Sequence, residues 1–118
     1  MWWWIGDEES EDQRFRAVPG GFGLYHAAGS WCMSQVRGIR DDSQLPIEWF
    51  VPDHWIRGWP RGPRIAKGLE TVGLWKRIDG EPGYRYAWIR PQNTAAAVRD
   101  KRRRERDKKR DQRAGNDQ

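Results

Sequence analysis

The side chains that usually carry catalysis are few in this sequence. It has two histidines, His26 and His54, and one cysteine, Cys32. His26 and Cys32 lie six positions apart, which is about 600° around a helix, so they would point to different faces. Neither histidine has a nearby cysteine or carboxylate in the pattern of a nucleophilic or metal site. The segment 20–23 contains Gly-x-Gly without the strand and spacing of a nucleotide loop. We therefore expect no enzyme activity, metal ion or cofactor.

The charged residues are more informative about partners. The chain has 22 Lys and Arg against 17 Asp and Glu, a formal net charge of +5. Residues 99–118 hold ten basic and five acidic residues and thus the whole excess. Five carboxylates are clustered in residues 7–12. The chain is therefore an acidic head, a mildly basic body and a basic tail, an order that bears on partners more than on fold.

One stretch of apolar periodicity predicts a helix that could display cations. Ile65, Leu69 and Val72 recur at i, i+4 and i+7, which indicates one apolar stripe on a helix over residues 64–74. Gly73 is suited to end this helix. The stripe predicts that the helix packs on the body through these three side chains.

The opposite face of this predicted helix is polar. It carries Arg64, Lys67 and Thr71, and Arg61 directly precedes it. Arginine suits nucleic-acid recognition because its guanidinium can bind guanine or phosphate with two donors at once. Any exposed helix carries charges, however, so these residues alone are equally typical of a solvated surface.

An earlier helix is predicted over residues 20–36. One stripe of it consists of Leu24, Ala28, Trp31 and Gln35, and beside this stripe lie Tyr25, Ala27 and Cys32. Its several glycines lower helix propensity, and close packing against a neighbouring element would explain an interior one. His26 and Cys32 are expected to be ordinary residues of this helix.

Strand and turn patterns connect and follow the two helices. Residues 47–51 predict a short strand, and Asp53 can cap a helical turn over 54–58. Residues 75–78 and 84–88 predict two strands of a β-hairpin. Tyr84, Tyr86 and Trp88 alternate onto one face of it, and its basic residues are Lys76, Arg77 and Arg85.

The two ends of the chain differ in character. Residues 2–5 are apolar and aromatic, which suits a strand or an extended arm; the aromatics would pack on the core or form a functional platform. Thr94 can cap a helix beginning at residue 95, beyond which the chain is almost wholly charged, as in a solvated helix or a disordered tail. We therefore divide the chain into a domain of residues 1–92 and a tail of residues 93–118.

Two observations bear on the compartment. A single cysteine cannot form an internal disulfide, which fits a reducing environment. No apolar run approaches the roughly 20 residues that span a bilayer. The sequence thus predicts a soluble cytoplasmic protein.

The order of the predicted elements is typical of a winged helix-turn-helix. We expect an α+β fold of this type, with a short aromatic N-terminal strand and a charged C-terminal helix or tail. In this layout the second helix of the pair faces the major groove and the hairpin touches the flanking backbone. Tail cations would neutralise phosphates or merely aid solubility. The predicted DNA-binding residues are Arg61, Arg64, Lys67, Thr71, Lys76, Arg77, Arg85, Arg102, Arg103 and Arg104.

Several short motifs carry a more specific resemblance. They are residues 19–31 followed by Cys32, Phe-Val-Pro at 50–52, Leu-Glu-Thr-Val-Gly-Leu-Trp at 69–75, Gly-Tyr before Trp88, and Gln-Asn-Thr at 92–94. In this pattern the chain resembles small winged-helix proteins of actinobacteria and their phages, similar to the N-terminal DNA-binding module of phage replication-initiation proteins. It departs from them at residues 48–50, where the family has Asp-Gly before Val-Pro, and in having acids after the first strand.

The resemblance implies a double-stranded DNA-binding protein that acts in replication initiation or transcriptional control. The alternative is a protein-interaction module on the same scaffold, which binds a host or phage replication or transcription protein. The acidic head favours this alternative, because clustered carboxylates can occupy a basic groove. The head could also fold back onto residues 61–67 or onto the tail and inhibit DNA binding.

Overall fold

Three short antiparallel strands and five α-helices form an α+β structure in the computed structural model, which describes residues 1–116. The predicted fold class is confirmed at this level. The helices are α1 (Gln13–Arg16), α2 (Gly21–Val36), α3 (Asp53–Arg57), α4 (Gly62–Thr71) and α5 (Ala95–Asn116), and the strands are β1 (Phe50–Pro52), β2 (Trp75–Lys76) and β3 (Gly83–Tyr86).

The sheet has β3 at its centre, in the order β1-β3-β2. β2 and β3 form the predicted hairpin, in which Trp75 is opposite Tyr86. Tyr84 and Tyr86 are both buried, as their alternation predicts, whereas Trp88, predicted on the same face, lies beyond the end of β3 and is half-buried. The predicted strand over 47–51 is wrong in its bounds, because β1 pairs with β3 only from residue 50 to residue 52. Ile47 is instead a largely exposed residue.

The core lies between α2, α4 and the inner face of the sheet. The predicted helix at 20–36 is confirmed as α2, and Leu24 and Ala28 of its predicted stripe are buried, but the stripe does not continue to Trp31 and Gln35. Trp31 is half-buried and Gln35 is exposed, whereas Tyr25 and Cys32 are buried. The Trp31 side chain packs against the outside of the core and is not enclosed by it. The prediction counted Trp31 as a core residue because it is large and apolar.

The first five residues form an extended arm that pairs with none of the strands in residues 1–116. The predicted N-terminal strand is therefore wrong, and the arm is the correct alternative. Trp3 packs its ring directly over Gly29, where a Cβ atom would collide with the indole. This contact explains the interior glycine of α2. Core packing accounts for Trp3 only, because Trp2 and Trp4 are 77% and 59% exposed.

The C-terminal segment is a long solvated helix within the described residues. Thr94 caps α5 as predicted, since its Oγ1 accepts a hydrogen bond from the amide of Ala97 at 3.1 Å. Ala95 and Val98 are buried against the body, and residues 103–115 are exposed. The domain boundary at residue 92 stays a prediction.

Candidate nucleic-acid interface

Helix α4 packs on α2 through the predicted stripe. Ile65, Ala66 and Leu69 are buried, and the first and last of these side chains lie close to Gly20 and Gly21 at the start of α2. Small residues at these positions let the two helices approach closely. The helix begins at Gly62 and ends at Thr71, slightly earlier at both ends than the sequence predicts.

The opposite face of α4 is open to solvent. Arg64, Lys67 and Thr71 are exposed, and so is Arg61 before the helix. The Thr71 hydroxyl donates to the Lys67 carbonyl at 3.0 Å. Among the residues that the structure describes, no carboxylate lies within 4.0 Å of the three cationic groups. Their charge is therefore available to an external anion.

Arg61 and Arg64 also face a groove between α4 and the turn joining α1 to α2. The groove has a volume of about 350 Å³, and Val18 and Ile65 form part of its apolar floor. Arg61 has a φ of 57°, a left-handed conformation that is unusual for a residue with a side chain. Two arginines thus line one groove at the N-terminal end of α4.

Gly62 fixes how α4 follows α3. A Cβ atom at this position would collide with the backbone carbonyl of Ile56 in α3. We expect Gly62→Ala to lower the free energy of unfolding by about 1–3 kcal/mol, because the collision is with backbone that cannot rotate away. Gly38→Ala is the matched control, since a Cβ there would meet nothing within 4 Å. Urea unfolding compares the two variants, and equal stabilities would contradict this role of Gly62.

The cations of the hairpin are already paired within the protein. Arg77 donates to both carboxylate oxygens of Asp53 at 2.9 and 2.8 Å. Arg85 donates to Glu81 at 2.9 Å, and the Lys76 ammonium lies 3.3 Å from Glu48. Lys76, Arg77 and Arg85 were predicted to bind DNA phosphates. Because each already has a carboxylate partner, each has less positive charge available for a phosphate.

Asp53 does not cap a helix as predicted. It is the first residue of α3, and Pro52 at the cap position makes no side-chain hydrogen bond. The Asp53 carboxylate binds Arg77 instead, and this hydrogen bond lowers its pKa. The stronger, doubly hydrogen-bonded ion pair thus replaces the capping interaction.

The three tail arginines that were predicted to bind DNA, residues 102–104, have different surroundings. Arg102 donates to the carbonyl oxygens of Val36 and Ile39, both at 2.6 Å. Its guanidinium therefore satisfies carbonyl groups at the end of α2 and links α5 to them. Its assignment to DNA stays a prediction. Arg103 is exposed and lies 3.3 Å from Asp100, and Arg104 is exposed. These last two remain candidates for phosphate contact.

The acidic head, residues 7–12, is folded against the body, where its carboxylates pair with Arg14 and Arg90. Glu9 is only 3% exposed and lies 2.9 Å from Arg90, which also binds Glu8 at 2.5 Å. Asp12 pairs with Arg14 at 2.7 Å. The hypothesis that the head folds onto residues 61–67 is therefore wrong in this structure, because Arg90 holds it elsewhere.

His26 is one of three buried polar residues in the described part of the chain, with Glu9 and Asn93, and its burial was not predicted from the sequence. Its Nδ1 accepts from the Trp3 indole N–H at 2.8 Å, and its Nε2 lies 3.5 Å from Glu9. Burial lowers the pKa of His26, while the Glu9 charge opposes that effect and Arg90 adds to it. No local motif signals this cluster, because its members lie far apart in the sequence.

Acidification below about pH 6.5 is expected to destabilise the protein through His26. The pKa of His26 is lowered from 6.5 in the folded state, so the unfolded chain binds a proton at pH values where the native chain does not. The free energy of unfolding therefore falls as the pH decreases from about 6.5 toward the native pKa, by up to about 1.4 kcal/mol per pH unit. Urea unfolding between about pH 7.5 and pH 5 measures this slope.

The control for this pH dependence is the exposed histidine. His54→Gln is expected to keep the slope, because the His54 ring is exposed. His26→Gln should flatten it over the same pH range. An unchanged slope in the His26 variant would contradict the assignment.

Comparison with protein-family models, with curated proteins and with solved structures gives no match to this chain. Within residues 1–116, no group of three or more His, Cys, Asp or Glu side chains is arranged to hold a metal ion. Over the same range, none of the helices combines the length and apolar composition that crossing a bilayer requires.

Proposed function

We propose that this chain is a non-enzymatic protein that binds double-stranded DNA through α4. The observation that carries the proposal is the exposed cationic face of this helix, on which Arg61, Arg64 and Lys67 have no carboxylate partner among the described residues. Cations elsewhere in the body, at Arg77, Arg85 and Arg90, are held by acids. The α4 face, formed by Arg61, Arg64 and Lys67, thus presents three positive charges close together, unpaired among the described residues, which a partner can bind.

The finer fold proposed is a winged helix-turn-helix. Its support is the element order α2, β1, α3, α4, β2, β3, together with the sheet order β1-β3-β2. In such a fold α4 is the helix that enters the major groove, and the β2–β3 hairpin is the wing beside it. The resemblance to phage replication-initiation modules extends the proposal to a phage-type role in replication initiation or transcriptional control.

The contacts follow from the chemistry of the exposed side chains. Arg64 can donate two parallel hydrogen bonds to the O6 and N7 atoms of guanine or to a phosphate. Thr71 can bind a base edge, and Lys67 and Arg61 supply charge for phosphates. Arg103 and Arg104 on the solvated part of α5 would add phosphate contacts that carry no sequence information.

An electrophoretic mobility shift with the full chain tests the proposal. A random duplex of about 30 base pairs and its single strand are compared at about 50 mM salt, where phosphate contacts are strongest. Retention of the duplex in preference to the single strand is expected. A chain that shifts neither nucleic acid would refute DNA binding, and a preference for the single strand would refute groove recognition by α4.

The alternative of a protein-interaction module rested on an acidic head that is free to bind a partner. In the structure Glu8 and Glu9 bind Arg90, Asp12 binds Arg14, and Glu11 lies 3.7 Å from Arg16. The head therefore offers little unpaired negative charge to a basic groove, and DNA binding is the function with better support.

A further inference from the structure

The N-terminal arm, residues 1–5, is anchored to the body at alternate positions. Met1 is half-buried against α2 and α5, and Trp3 packs over Gly29 and donates to His26. The buried Asn93 side chain accepts from the Trp4 amide at 2.7 Å and donates to the Trp4 carbonyl at 2.8 Å. The arm is thus held in one extended conformation by both side chains and backbone.

This anchoring turns the other side chains of the arm outward. Trp2 and Trp4 are 77% and 59% exposed, and the next residue, Ile5, is 49% exposed. We call these three side chains the arm patch. The two indoles alone leave on the order of 300 Å² of apolar surface in water, which is typical of an interaction site rather than of scattered exposed residues. A loosely attached terminus could fold such residues inward, but the anchored backbone does not allow it.

Opposite charges lie at the two ends of the arm patch. The Arg37 guanidinium lies 5.4 Å from the centroid of the Trp2 ring, and Asp7 lies two residues after Ile5, at the other end of the arm. Both residues are exposed, and Asp7 has no basic group within 4.0 Å among the described residues. A surface that is positive at one end and negative at the other complements a copy of itself related by a two-fold axis.

We infer that the arm patch binds the arm patch of a second copy of this chain. The two-fold arrangement packs Trp2 and Trp4 of both copies together and sets Arg37 of each copy opposite Asp7 of the other. An apolar centre with a charged rim is the usual anatomy of such an interface. Because the apolar centre is small, we expect the dimer to be weak, with a dissociation constant on the order of micromolar. This inference does not depend on DNA binding.

Sedimentation equilibrium of the full chain without DNA tests the inference. The wild type is expected to change from monomer to dimer between about 1 and 200 µM. Trp2→Glu/Trp4→Glu should remain monomeric throughout, because it places four carboxylates at the centre of the dimer. Ile47→Glu is the matched control, since Ile47 is 81% exposed outside the arm patch, and it should dimerise like the wild type.

Charge exchange tests the two-fold geometry. Arg37→Asp and Asp7→Arg should each weaken the dimer by about 10-fold, and the double variant should recover most of the loss, because the opposed charges are restored with reversed sign. A wild type that stays monomeric at 200 µM would overturn the inference, even if it cosediments with vesicles of anionic phospholipid. A Trp2→Glu/Trp4→Glu variant that still dimerises would overturn it as well.

Discussion

Arg64→Glu/Lys67→Glu is expected to weaken binding to duplex DNA by at least about 100-fold while leaving the free energy of unfolding unchanged. Both side chains are exposed on α4, so their replacement disturbs no packing. Each loses a favourable contact with DNA worth about 1–3 kcal/mol and places a negative charge against the phosphates. Fluorescence anisotropy with a labelled duplex measures the affinity, and urea unfolding measures the stability.

The control for this variant has the same change in net charge. Arg40→Glu/Arg99→Glu alters two basic residues outside the α4 face, in the segment after α2 and in α5. It should weaken binding by less than about 10-fold, through the overall charge alone. If both double variants lost the same affinity, attraction by net charge would explain the binding, and α4 would not be the interface.

Leu69→Ala is expected to lower the free energy of unfolding by about 2–5 kcal/mol. Leu69 is fully buried and packs against Gly21 of α2, so its removal leaves a cavity between the two helices. The protein that remains folded should still bind DNA, because the cations of the α4 face are unchanged. Urea unfolding gives the stability, and anisotropy below the unfolding transition gives the affinity.

A half-buried neighbour provides the comparison for Leu69. Val72 lies at the C-terminal end of α4 and is only partly buried. Val72→Ala should therefore cost less than about 1.5 kcal/mol, since fewer contacts are lost. Equal losses in the two variants would contradict the packing of α4 on α2 through Leu69.

Features set by local periodicity were predictable from the sequence. The burial of Ile65 and Leu69 follows from their helical spacing, and the burial of Tyr84 and Tyr86 from their alternation in a strand. The capping of α5 by Thr94 depends on residues three positions apart. In each case neighbours in the chain determine the geometry, so the residue types alone carry the signal.

Features that join distant residues were not predictable. Trp3 meets His26 across 23 positions, Trp4 meets Asn93 across 89, and Arg102 meets the Ile39 carbonyl across 63. Each of these contacts is a hydrogen bond made by a side chain, and no periodic pattern in the sequence indicates which distant residue is its partner. For the same reason the sequence did not separate the free cations of α4 from the hairpin cations, whose acids lie at Glu48, Asp53 and Glu81.

The salt dependence of duplex binding by the wild type tests the proposed interface most directly. With about four phosphates neutralised by the α4 face and the exposed part of α5, the logarithm of the affinity should fall with the logarithm of salt concentration with a slope near −3.6. Affinity should thus drop roughly 150-fold between about 50 and 200 mM salt. An affinity that does not change over this range, or no binding at 50 mM, would contradict recognition of DNA by this cationic face.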